Sequence, residues 1–204
     1  MEGVQKVLEK IKQKEEKNSP NQTEKLSNIE NYLIRVIPSK YKNITQEDLD
    51  SKEKQEVYKQ ALEGRSFFFT GGAGTGKTYL ACFIGKVLLL KGKNVQYLSF
   101  PKFVIRLQSS FRDDEESAYN LLNRYVNESE VLIIDDLGAE GLTPLVQRAI
   151  YFIINEREQW DKQIILTSNF SLTEIDEQID PRISSRIKGI CEIIKFAGKD
   201  RRLK

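Results

Sequence analysis

The stretch Phe67–Leu80 reads FFFTGGAGTGKTYL, and it constrains the fold more than any other part of the chain. A short apolar run, a glycine-rich loop and the start of a helical pattern follow one another without a gap. Gly71, Gly76, Lys77 and Thr78 fit the pattern G-x-x-x-x-G-K-[ST], in which glycines let backbone N–H groups curl around phosphates with no Cβ in the way. Across Gly71, Gly72, Ala73, Gly74, Thr75, Gly76, Lys77, Thr78 and Tyr79 the loop is read as a phosphate cradle. Lys77 supplies a point charge to the β- and γ-phosphates, and Thr78, on the first helical turn, supplies a hydroxyl to Mg²⁺. The helix N-terminus adds its own partial positive charge.

The surroundings fit that reading. Residues 66–70 (SFFFT) have the composition of a buried strand, and Tyr79 to Leu90 carries apolar residues at helical spacing. Strand, loop and helix therefore occur in the required order.

A chain of 204 residues is expected to hold one domain with appendages. Its net charge of +2 gives no global argument for a nucleic-acid partner, although a local basic patch stays open. The absence of histidine removes His general bases and His metal ligands. Cys82 and Cys191 follow no metal spacing and are expected to be free, buried thiols in a reducing compartment. There is no run of about 18 apolar residues to span a bilayer and no apolar signal-peptide centre, so no membrane role and a cytoplasmic location are expected.

Ahead of the loop, Val4, Val7, Leu8 and Ile11 form a narrow apolar stripe at helical spacing, and Leu26, Ile29 and Leu33 form a second that ends before Pro38. Between them lies a charged segment broken at Asn18-Ser19-Pro20, read as a linker. Residues 1–36 are expected to form a short helical arm that docks on another protein, packs on its own domain or frays as a chain end. The globular domain is expected over 37–204.

After the loop, VQYLS (95–99) reads as a second strand and FPKFVIRLQSSF (100–111) as a helix opened by Pro101. Phe103, Ile105 and Leu107 are expected to face the core. Another helix is expected from Asp113 to Val126, its first turn acidic. VLIIDD (131–136) reads as an apolar strand ending in two aspartates. Behind a phosphate loop this is the expected second half of the site: Asp135 holds Mg²⁺, usually through its water, and Asp136 orients or deprotonates an attacking water.

A long helix spans Leu142 to Trp160. QIILTS (163–168) is a further strand, ending at Asn169. That amide can sense the γ-phosphate from the end of a strand beside the loop, or can cap the SLTEI helix turn. In DPRISSRIK (180–188), Arg182 and Arg186 project from one helical face. If that face points outward, Arg186 can reach a neighbouring subunit's γ-phosphate, the role of arginine fingers worth roughly 10³–10⁵ in rate. The alternative is a solvated surface helix.

The segments GGAGTGKTYLA, VLIIDDLGAE, IILTSNFSL, RISSRI and FAGKDRR together resemble the AAA+ ATPases, and within them the DnaC/DnaI/IstB-like helicase loaders, over about residues 37–204. The resemblance implies a three-layer α/β/α P-loop NTPase domain with a parallel five-stranded sheet, one strand lying between the two Walker strands. It implies ATP and Mg²⁺ as cofactors. Lys77 and Thr78 match Walker A, Asp135 and Asp136 Walker B, Asn169 the sensor 1 position, Arg186 the trans-acting finger and Arg202 a sensor 2 arginine.

It also implies ATP hydrolysis, self-association through the Arg186 face, and loading of a replicative helicase onto single-stranded DNA. Lys102, Arg106, Phe111 and Arg112 are the candidates for DNA contact. Two departures stand out: the second Walker B residue is Asp136 where many AAA+ enzymes place Glu, and the chain ends soon after Phe196, which leads us to expect no full helical lid. The arm has no ligands for a zinc module. Alternative readings are an IstB-like transposition ATPase acting with a transposase on duplex DNA, a non-hydrolysing nucleotide switch and, more remotely, a P-loop kinase.

Overall fold

The structure is a computed structural model that describes residues 37–41, 43–45, 51–113, 115–139, 142–198 and 200–201. The apolar stripes of the N-terminal arm and Arg202 lie outside the described residues. A 3₁₀ turn at Ser39–Tyr41 leads to α1 (Lys52–Leu62), β1 (Ser66–Gly71), α2 (Lys77–Leu90), β2 (Val95–Ser99), α3 (Phe100–Asp113), α4 (Glu115–Asn127), β3 (Val131–Asp135), α5 (Pro144–Gln159), β4 (Gln163–Ser168), α6 (Leu172–Gln178), α7 (Pro181–Ile190) and β5 (Cys191–Phe196).

The five strands pair in the order β2-β3-β4-β1-β5, and the pairings are parallel. β4 thus separates the phosphate-loop strand from the strand of the two aspartates, as expected from the sequence. Helices cover both faces, which is why the central strands read as unbroken apolar runs rather than alternating ones. Every residue of β3 and β4 is buried.

Period-two alternation divides these runs between two cores. Phe67, Phe69, Ile133 and Ile165 pack under α1 and α2, whereas Phe68, Leu132, Ile134, Ile164 and Leu166 pack against α3–α7. The result is the three-layer α/β/α arrangement. Helix starts are set by local chemistry: Thr143 caps α5 ahead of Pro144, Ser171 and Glu174 form a reciprocal capping box on α6, and Asp180 caps α7 ahead of Pro181.

At the amino ends of the central strands, Arg157 of α5 is fully buried. Its guanidinium donates to the carbonyls of Tyr125 (3.0 Å), Ser129 (3.3 Å), Glu130 (2.9 Å) and Gln163 (2.7 Å). One side chain thus ties the end of α4 to the starts of β3 and β4. Burial lowers its pKa to about 10.

One sequence expectation fails on α3. Phe103 and Leu107 are fully buried, but Ile105 is 68% exposed. A helix turns about 100° per residue, so positions 103 and 107 share a face that 105 cannot.

Candidate functional site

The carboxyl ends of β1, β3 and β4 meet at one end of the sheet, and the chain leaves β1 and β3 through residues with positive φ. At the last residue of β1, Gly71 adopts φ 139° with its Cα against the Phe196 carbonyl; a Cβ there would lie 2.1 Å from that oxygen. Gly76 takes the N-cap of α2 at φ 103°. It has no side chain to fold over the helix end, so the first-turn N–H groups are left to an anion.

Lys77, only 4% exposed, extends its ammonium across the loop. It donates to the carbonyls of Gly71 (2.7 Å) and Gly72 (2.8 Å) and to Asn169 Oδ1 (2.9 Å). Asn169 therefore belongs to the phosphate-loop cluster. The capping role that the sequence left open is taken by Ser171.

β3 delivers Asp135, 6% exposed, whose carboxylate accepts from two neutral hydroxyls. Tyr97 of β2 donates to Oδ2 at 2.6 Å and Thr167 of β4 to Oδ1 at 2.7 Å. Burial first, then the charge of Asp135, pushes the Tyr97 hydroxyl far above its usual pKa, so it stays a donor. Asp136 then turns into the left-handed region at φ 60°, where aspartate is better tolerated than most residues. Its N–H donates to Thr167 Oγ at 3.0 Å, so Thr167 fixes both aspartates.

Between the loop and the two aspartates lies a cavity of about 540 Å³, within the usual range for small-molecule sites. Gly74, Gly76, Lys77, Thr78, Tyr79, Asp135, Asp136 and Asn169 are among its lining residues, joined by Lys40, Tyr41, Lys54 and Arg201. The last four escaped the sequence reading. The Tyr41 ring meets the Tyr79 ring edge-on at 6.3 Å and carries the Lys40 ammonium at 4.6 Å. Arg201 donates its backbone N–H to the Gly74 carbonyl at 3.1 Å, which brings this arginine, next to the expected Arg202, to the loop.

Thr78 on the first helical turn and the buried carboxylate of Asp135 both face this cavity. A hydroxyl and a carboxylate are the hard oxygen donors that Mg²⁺ takes, so the residues present fit the metal.

Arg186 is not among the lining residues. Its Nη1 binds Glu158 Oε2 of α5 at 2.6 Å, and the Tyr151 hydroxyl is a second partner. Arg182 pairs with the cap residue Asp180 at 2.7 Å and lies 5.0 Å over the Tyr151 ring.

Lys102 and Arg106 are exposed on α3, where they line a groove of about 330 Å³ with Ile37, Pro38 and Tyr97. Phe111 is 46% exposed. The side chain of Arg112 lies outside the described residues. Among the described residues, no helix is long and apolar enough to cross a membrane.

A family model described as "IstB-like ATP binding protein" matches residues 4–204. The chain belongs to this family. As an IstB-like ATP-binding protein it carries a P-loop ATPase domain of the AAA+ class. The replicative helicase loader DnaC of Escherichia coli K12 is 27% identical over 142 residues, 69% of this chain and 58% of that protein; the match thus spans little more than half of the curated relative.

Among solved structures, the replication initiator DnaA bound to AMPPCP and single-stranded DNA superposes with a TM-score of 0.68 at 25% identity, covering 80% of this chain and 51% of that one. DnaI matches with a TM-score of 0.63 at 21% identity over 84% of this chain and 93% of its own, a likeness of fold.

Proposed function

We propose that this IstB-like protein hydrolyses ATP at the ends of β1, β3 and β4 and uses the cycle to load a replicative helicase onto single-stranded DNA. The observation that carries the reading is the convergence of Lys77, Asn169 and Asp135 on one cavity, beside a groove lined by Lys102 and Arg106. Likeness to the loader DnaC and to the DNA-bound initiator supports the direction of the proposal.

Lys77 exchanges its carbonyl partners for the β- and γ-phosphate oxygens, a charge-assisted contact stronger than the neutral ones it leaves. Asn169, released from Lys77, orients the terminal phosphate or the attacking water. Asp136 accepts the proton of that water. Thr78 and Asp135 would hold Mg²⁺, which when bound neutralises charge on the phosphates.

Arg186 acts in trans. To reach a neighbour's site it must leave Glu158, so assembly and the finger are linked. Lys102 and Arg106 contact the DNA backbone, and the exposed Ile105 and Phe111 offer apolar surface to unstacked bases. The arm, residues 1–36, engages the helicase.

A second reading is an IstB-like transposition ATPase acting on duplex DNA, with which the family match is equally compatible. Pull-down of a replicative helicase with the full chain, combined with ATPase stimulation by single-stranded and duplex oligonucleotides, tests both. Capture of the helicase together with single-strand stimulation supports the loader. Duplex-only stimulation without capture favours the transposition reading.

A further inference from the structure

The Tyr97 hydroxyl has a neighbour that a packing role does not require. Tyr97 lies on β2, in register with Ile133, and reaches diagonally along β3 to Asp135, two residues on and on the same face of the sheet. Its hydroxyl meets Oδ2 at 2.6 Å, while Thr167 meets Oδ1 from the other side at 2.7 Å. Each carboxylate oxygen is thus tied by one neutral donor from a flanking strand.

The carboxylate plane is fixed, and a lone pair remains on each oxygen for the cavity. A free aspartate rotor at a strand end would have to be immobilised each time it engaged a cation. This one is set in advance by two strands.

We propose that Tyr97 is a positioning residue for the metal site: its hydroxyl holds Asp135 in the rotamer that takes Mg²⁺ with the nucleotide. This rests on the assignment of Asp135 as the metal-side carboxylate. Tyr97 is not among the residues that line the cavity, and its hydroxyl acts through Asp135. Its position in a non-motif stretch, VQYLS, hides it from a reading based on phosphate-loop motifs. Its ring also lines the groove beneath Lys102 and Arg106, so the metal side of the site is one side chain away from the candidate DNA surface.

The test uses the full chain and fluorescent N-methylanthraniloyl-ADP, titrated with and without Mg²⁺, so that the readout is metal-linked tightening of nucleotide binding and needs no turnover. Tyr97→Phe is expected to leave metal-free affinity within about twofold and to reduce the tightening by about tenfold, the lower end of the loss seen when an outer-sphere partner of a metal ligand is removed. Asp135→Asn should reduce it at least as much, and Tyr97→Phe added to Asp135→Asn should cost nothing further.

Thr167→Val, which removes the opposite donor, should act in the same direction and serves if Tyr97→Phe does not fold. Full tightening in Tyr97→Phe, or an equal loss with and without the Asp135 carboxylate, overturns the proposal. Full tightening in Asp135→Asn overturns the assignment of Asp135 itself, a distinct failure.

Discussion

The ammonium of Lys77 lies 2.9 Å from Oδ1 of Asn169, joining the phosphate loop after β1 to the carboxyl end of β4. In the proposed mechanism both residues serve the same phosphate: Lys77 carries charge and binds in both the ground and transition states, whereas Asn169 is neutral and acts by orientation. Lys77→Ala is expected to weaken ATP binding by about 10–100-fold, the worth of a hydrogen bond to a charged group. Asn169→Ala should leave binding within a few-fold and lower kcat by about 10²–10³. Equilibrium nucleotide titration beside single-turnover hydrolysis separates the two effects.

A finger contributed by a neighbour gives a mixing result that a cis residue cannot. Arg186→Ala subunits keep an intact phosphate loop, and Lys77→Ala subunits keep an intact Arg186. Each alone should be inactive, with a loss of about 10³ or more for Arg186→Ala, while an equimolar mixture should regain a measurable fraction of wild-type turnover. A mixture no more active than its components contradicts the trans role.

Arg157 sits at the opposite end of the sheet from the site, so its loss should register in stability and not in nucleotide affinity. Arg157→Met removes contacts to five carbonyls, those of Tyr125, Val126, Ser129, Glu130 and Gln163, from a fully buried position. A loss of about 3–5 kcal/mol in urea unfolding is expected, with the ATP affinity of the folded protein unchanged. Burial disfavours the guanidinium cation and lowers its pKa, so desolvation offsets part of what its carbonyl contacts contribute.

The groove along α3 makes a salt-dependent prediction. Lys102→Ala and Arg106→Ala should each weaken single-stranded oligonucleotide binding and reduce the slope of log K against log salt by about 0.7, without altering ATP affinity. Phe111→Ala should cost about 1–3 kcal/mol with little change in slope if bases stack on its ring. Fluorescence anisotropy over a salt series reads both quantities.

Much of this architecture was legible because the signals are local. The central strands are apolar runs ended by glycines or polar residues, and the sheet order, with β4 between β1 and β3, came with the resemblance carried by IDDLG, TSN and RISSRI. Lys77, Thr78, Asp135 and Asn169 could be named because a loop and two strand ends must present them at one place. What stayed hidden depends on long-range contact.

Tyr97 reaches Asp135 across a strand pair, Thr167 ties both aspartates from inside a buried strand, and Lys40 and Tyr41 enter from a segment far ahead of the loop in sequence. Ile105 was misplaced because an apolar residue was assigned to the core by type, against the helical phase set by Phe103 and Leu107. Arg201 reaches the loop through its backbone N–H to the Gly74 carbonyl, a contact that spacing in an irregular tail does not foretell.

The central claim is tested most directly by steady-state ATP turnover of the full chain with Mg²⁺ and single-stranded oligonucleotide, with Lys77→Ala run beside the wild type. Turnover that needs Mg²⁺, rises with single strands and falls to background in Lys77→Ala is the predicted result. Turnover that survives Lys77→Ala, or none in the wild type with single strands present, would contradict the account.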